Sequence, residues 1–175
     1  MTIHLILGGA RSGKSSYAES LALGSDKPFR HYIATATVTD DEMAQRIAHH
    51  QARRDEHWQL HEVPLELSSA LARLSEKDVV LIDCLTLWMS NVIFEGGETA
   101  SEQAINQRVE ALIEALQHCA AEVILVSNEV GLGVVPMGEV SRLFVDHAGW
   151  MNQALAKIAD RVTFVAAGLP LSLKG

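Results

Sequence analysis

Cysteine is scarce: the 175 residues hold only Cys84 and Cys119, far apart in the chain. That excludes a disulfide framework and a cysteine-rich zinc site, and makes a reducing cytosol the expected compartment. Long apolar runs are missing, since stretches such as Val79 to Ile82 fall far short of the roughly 20 residues of a membrane helix. The N-terminal apolar segment has no basic region before it and runs directly into glycines, so it does not read as a signal peptide. A basic excess is absent too: 14 Lys and Arg face 22 Asp and Glu, a net charge of −8. Nucleic acid and anionic membrane surfaces are therefore disfavoured as partners. No repeat, low-complexity tract or Pro/Ser-rich linker divides the chain, so a single domain spanning residues 1–175 is expected.

What is present is an alternation of short apolar runs with longer stretches of helical spacing, the pattern of an α/β protein with a mainly parallel sheet flanked by helices. The runs predict strands at Ile3 to Leu7, His31 to Ala36, Val79 to Cys84, Val123 to Ser127 and Val162 to Ala166, with an edge strand around Trp58 to Val63. Helices are predicted over Lys14 to Leu23, Asp40 to Arg54, Leu65 to Ser75, Glu102 to Cys119 and Val140 to Ala159. Thr39 and Glu42 have capping-box spacing at the start of the second.

Gly8, Gly9, Ala10, Arg11, Ser12, Gly13, Lys14 and Ser15 satisfy G-x-x-x-x-G-K-[ST] between a strand and a helix, the context a phosphate-binding loop requires. Glycines let successive N–H groups point inward at phosphate oxygens, and the helix adds its positive end. Lys14 is placed to reach the β- and γ-phosphates and Ser15 to ligate Mg²⁺. Asp83 ends another apolar strand and is the candidate second carboxylate for that metal; the competing reading is a cap on the segment from Leu85. The same cradle serves kinases, nucleotidyltransferases, switches and motors. A guanine-reading N-K-x-D sequence is missing, and Asn128 to Gly131 does not replace it, which disfavours a Ras-like switch.

Four of the eight histidines, His49, His50, His57 and His61, fall within thirteen residues. On a helix over Asp40 to Arg54, Arg46, His50 and Arg53 or Arg54 share a stripe. The spacing matches no metal-ligand pattern. Two readings stand: a solvated amphipathic face, or a nucleophilic histidine whose neighbouring arginines keep it neutral and stabilise phosphate charge.

The residues Gly8 to Ser15, Tyr32 to Ala36, Asp41 to Met43, Arg46 to His50, Trp58, Glu62 and Ser127 to Pro136 together resemble the bifunctional adenosylcobinamide kinase / adenosylcobinamide-phosphate guanylyltransferase family of cobalamin biosynthesis. The resemblance implies a P-loop NTPase fold of the RecA-like class. It implies phosphorylation of adenosylcobinamide by ATP or GTP, then GMP transfer from GTP through a guanylylated histidine. By position that histidine is His50, with His49 as the adjacent rival. Implied catalytic residues are His50, Lys14 and Asp83. Implied nucleotide contacts are Gly8 through Ser15, Ala34, Thr35, Ala36, Gln51, Ala52, Arg53, Arg54, Glu62 and Asp83, with Mg²⁺ on Ser15 and Asp83. A cytoplasmic homotrimer is implied as well.

The charge is unevenly spread. Residues 1–54 carry seven Lys and Arg against five Asp and Glu, whereas residues 55–175 carry seven against seventeen. The acidity lies outside the segment expected to hold triphosphate, so a localised nucleotide site is compatible with the acidic whole.

Overall fold

The computed structural model describes residues 2–36 and 58–175. The predicted helix over Asp40 to Arg54, its Thr39 and Glu42 cap, and His49, His50, Gln51, Ala52, Arg53 and Arg54 lie outside these residues. The elements are β1 (Thr2–Gly8), α1 (Lys14–Leu23), β2 (Phe29–Ala34), β3 (Trp58–Glu62), α2 (Leu67–Leu71), β4 (Asp78–Asp83), α3 (Leu85–Ile93), α4 (Glu102–His118), β5 (Glu122–Asn128), α5 (Glu139–Ile158), β6 (Arg161–Ala166) and β7 (Leu169–Lys174).

The strands form one sheet in the order β3-β2-β4-β5-β1-β6-β7. Pairings are parallel except that β7 runs antiparallel to β6. β3 stands at one edge, as its weaker apolar character predicts. The central strands are continuously apolar because both faces are covered. Ile3, Leu5, Val80, Ile82, Val123 and Leu125 pack with the apolar sides of α2, α3, α4 and α5. The alternate residues Ile6, Val79, Leu81, Ile124 and Val126 pack on the other face with Ala18 and Ala22 of α1. Those two alanines are fully buried one turn apart, which brings α1 close to the sheet. Each fully buried leucine or isoleucine contributes roughly 1.5–3 kcal/mol.

α4 begins where Ser101 Oγ accepts from the Ala104 N–H at 3.2 Å, and Ile105, Leu112 and Leu116 form its buried stripe. Three elements differ from expectation. α3 was not predicted, although its buried Leu85, Trp88, Met89, Val92 and Ile93 recur at helical spacing; it is nine residues long and only Cys84 separates it from the apolar run of β4. β7 contains Pro170, which argues against a central strand but is tolerated at an edge. Ala167 (φ 51°) and Gly168 (φ 77°) supply the two positive-φ residues of its tight hairpin. The helix predicted over Leu65 to Ser75 is shorter, ending at Leu71.

The register sets the site. Gly8 lies opposite Asn128, Asp83 opposite Ala34, and Ala34 opposite Glu62. The ends of β1, β5, β4, β2 and β3 thereby open onto one carboxyl edge, where parallel α/β sheets bind ligands.

Candidate active site

The loop after β1 is shaped by three local constraints. Arg11 is left-handed (φ 55°) and Gly13 has φ 92°, so the backbone turns sharply just before α1. Ser12 N–H donates to Gly9 O at 3.3 Å, and Gly168 N–H donates to Ser12 O at 2.7 Å, tying the loop to the β6–β7 hairpin. At Gly8 a Cβ would meet Ser12 Oγ at 2.5 Å and Val165 O at 2.6 Å, so only glycine fits between this loop and β6. α1 starts at Gly13 without a side-chain cap and without an acidic residue in its first turn. Its first N–H groups are consequently available to an anion.

Lys14 is 8% exposed and donates from Nζ to Gly9 O at 3.0 Å, lying back across its own loop. Ser12 Oγ is buried without a hydrogen-bond partner, an orphaned hydroxyl in the middle of the cradle. Asp83, at the end of β4, accepts from Tyr32 Oη on Oδ2 at 3.3 Å. Cys84 follows Asp83 directly in the chain. Burial pushes its thiol pKa up and the charge of Asp83 adds to that, while Lys14 opposes both. The loop that carries Lys14 follows β1 and Asp83 ends β4, the two strands that flank β5, so both stand at the same carboxyl edge.

The predicted contacts at the end of β2 divide. Ala34 and Ala36 are buried small residues, and Thr35 is fully buried. Thr35 Oγ1 donates to Cys84 O (2.7 Å) and accepts from Cys84 N–H (3.0 Å), while Asn91 Nδ2 donates to Thr35 O (2.8 Å). The Thr35 side chain is occupied in clamping β2 to β4. Glu62 closes β3 with its side chain exposed. His50, Gln51, Ala52, Arg53 and Arg54 fall outside the described residues.

Tyr32 and the β5 end, both within the segments that carry the family resemblance, were not among the predicted nucleotide contacts. Glu129 N–H donates to Gly8 O at 3.0 Å, and Asn128 N–H donates to Thr86 Oγ1 at 2.6 Å. Both contacts join segments distant in sequence, so no local pattern announces them. Among the described residues no cluster of three or more His, Cys, Asp or Glu is placed to hold a metal. Ser15 and Asp83 are nonetheless hard oxygen donors of the kind Mg²⁺ takes alongside phosphate oxygens.

Residues 4–173 match the profile of the family described as cobinamide kinase / cobinamide phosphate guanyltransferase. The chain belongs to that family. It is 51% identical over 172 residues to the bifunctional adenosylcobalamin biosynthesis protein CobP of Pseudomonas aeruginosa, covering 98% of this chain and 96% of the relative. It is 43% identical over 180 residues to the protein CobU of Escherichia coli K12, covering 97% and 98%. Both relatives are named bifunctional, which matches the kinase and guanyltransferase pair of the family description. In fold, this cobinamide kinase / guanyltransferase family member is similar to the type III secretion ATPase EscN of enteropathogenic E. coli. The TM-score is 0.66 at 11% identity, over 98% of this chain and 47% of that one, so the chain spans about half of that ATPase's length. The flagellar accessory protein FlaH of Methanocaldococcus jannaschii gives 0.55 at 16% identity, over 99% and 78%. These likenesses make the fold that of P-loop ATPases.

Proposed function

We propose that this chain, working as one catalytic domain, phosphorylates the aminopropanol hydroxyl of adenosylcobinamide and then converts the phosphate to adenosylcobinamide-GDP. The observation that carries the reading is the Gly8 to Ser15 loop: Lys14 folded across it, an uncapped α1 after it and Asp83 at the same carboxyl edge, in a chain belonging to a kinase and guanyltransferase family. In the first reaction the substrate hydroxyl oxygen bonds the γ-phosphorus of ATP or GTP, the bond from that phosphorus to the nucleoside diphosphate breaks, and the hydroxyl proton is lost. Lys14 leaves Gly9 O to bind the β- and γ-phosphate oxygens, and the loop N–H groups and Ser12 Oγ donate to the others. Ser15 and Asp83 are the residues that would hold Mg²⁺, which when bound offsets phosphate charge.

In the second reaction a neutral nitrogen of His50 attacks the α-phosphorus of GTP and pyrophosphate leaves. The substrate phosphate oxygen then attacks the guanylyl phosphorus, the P–N bond breaks and His50 is regenerated. Arg46, Arg53 and Arg54 are assigned to charge stabilisation, and Gln51, Ala52, Ala34, Ala36 and Glu62 to nucleotide contact. Family resemblance supports a cytoplasmic homotrimer, which light scattering tests as three times the 19.1 kDa chain mass. Among the described residues no helix is long and apolar enough to cross a membrane.

The decisive experiment is incubation with GTP labelled at the α-phosphate. Wild type is expected to acquire an acid-labile, alkali-stable phosphoramidate label, and His50→Ala to acquire none. Equal labelling of His50→Ala overturns the assignment of the nucleophile.

A further inference from the structure

The loop between β5 and α5 carries Leu132, Val134, Val135 and Met137, which are 81, 96, 73 and 95% exposed. Four large apolar side chains exposed within one six-residue stretch mark a recognition surface. The loop is fastened at both ends. It leaves β5 where Glu129 N–H bonds Gly8 O at 3.0 Å, one hydrogen bond from the phosphate loop. At its other end Arg142 Nη1 donates to Pro136 O at 3.2 Å and to Met137 O. Arg142 also lines a groove of about 480 Å³ with Thr99, Glu102, Glu139 and Asp146, where three carboxylates face one guanidinium. Val140 is shared with an adjoining hollow of about 260 Å³ walled by Phe94, Phe144 and Val145.

We propose that this loop and groove are where the corrinoid docks. The proposal rests on the reading above, in which adenosylcobinamide is the substrate, and it supplies the residues that hold it. A Co(III) corrin with an adenosyl ligand carries one net positive charge, methyl-bearing ring edges and a rim of neutral carboxamides. The exposed apolar side chains cover the ring, the carboxylates accept from carboxamide N–H groups, and their excess negative charge matches the cation. The same acid excess opposes a second nucleotide. The loop starts beside the phosphate cradle, where Glu129 N–H bonds Gly8 O, and the flexible arm of the ring spans from the docked ring to the cradle. The rival occupant is a second copy of this chain.

Val134 is nearly fully exposed, so substitutions there leave folding intact. The test compares Val134→Arg and Val134→Leu with wild type, and uses Leu23→Ser, at the far end of α1, as the surface control. Val134→Arg is expected to raise KM for adenosylcobinamide about tenfold, the loss of one buried valine contact. Its kcat at saturation, GTP Kd by calorimetry and mass by light scattering stay at wild-type values. Val134→Leu and Leu23→Ser keep KM within about twofold. An unchanged KM in Val134→Arg overturns the placement, as does a fall in mass that accompanies the loss, which assigns the loop to a contact between copies. Wild-type protein that binds GTP but never phosphorylates adenosylcobinamide overturns the functional reading itself.

Discussion

At Gly8 the absence of a side chain is a packing requirement. A Cβ there would approach Val165 O to 2.6 Å, and a strand carbonyl cannot move aside as Ser12 Oγ can. Gly8→Ala is expected to weaken GTP binding at least about tenfold by equilibrium titration and to lower Tm. Gly9→Ala, whose Cβ would meet nothing within 4 Å, leaves Tm unchanged. Thr35 makes the complementary case. Its hydroxyl accepts from the Cys84 N–H and donates to Cys84 O, which also accepts from the Trp88 N–H at 3.1 Å, so Thr35→Val strips the Cys84 N–H of its partner. A loss of about 1–3 kcal/mol by urea denaturation is expected. In sequence Thr35 reads only as a residue beside a nucleotide; its clamp partner is 49 residues away, and no local pattern encodes such a distance.

Among the elements, β3 is joined to the sheet by side chains as well as by its ladder. His31 Nε2 lies 3.0 Å from Asp78 Oδ1, and His31 Nδ1 lies 3.0 Å from His61 Nε2. With His31 donating from Nε2 to the carboxylate, its Nδ1 accepts from the His61 N–H. Burial raises the Asp78 carboxyl pKa, but bonds from Ser75 and His31 outweigh it and hold it below 3.8. Burial, then the charge of His31, lowers the His61 pKa below the ordinary 6.5. Because unfolded His61 binds its proton more readily, its contribution to stability is complete above pH 6.5 and is lost as pH falls below that value. Asp78 contributes above pH 3.8 and is lost only as pH falls through its lower folded value. His61→Gln keeps a donor for His31 without the titration. It is expected to flatten the stability decline between about pH 6.5 and 5 in a denaturation series. The histidine clustering that drew attention in the sequence thus includes one member, His61, engaged in strand pairing.

For the molecule as a whole, a single cradle implies that both reactions fail together. Lys14→Ala is expected to reduce corrinoid phosphorylation and GTP self-labelling alike, each by about a hundredfold or more, with full kinase rate in that variant refuting the shared site. The whole-chain charge conceals two regimes. The first 54 residues carry a small cationic excess beside the phosphate loop, and the rest is acidic, including the groove formed by Glu102, Glu139 and Asp146.

Local physics made much of this legible without coordinates. Gly8 to Ser15 between a strand and a helix is a motif whose spacing alone dictates a phosphate cradle, and continuous apolar runs such as Val79 to Ile82 dictate strands covered on both faces. The helix α3 escaped because only Cys84 separates its nine residues from the apolar run of β4, with no turn signal between them, and β7 escaped because it is admissible only with Pro170 at an edge. Periodicity and motif spacing act over a few residues, so the sequence by itself determined the central strands, the long helices and the phosphate chemistry. Tertiary structure decided the rest, since only folding sets Gly8 against Val165, Thr35 against Cys84 and the β5–α5 loop against the cradle.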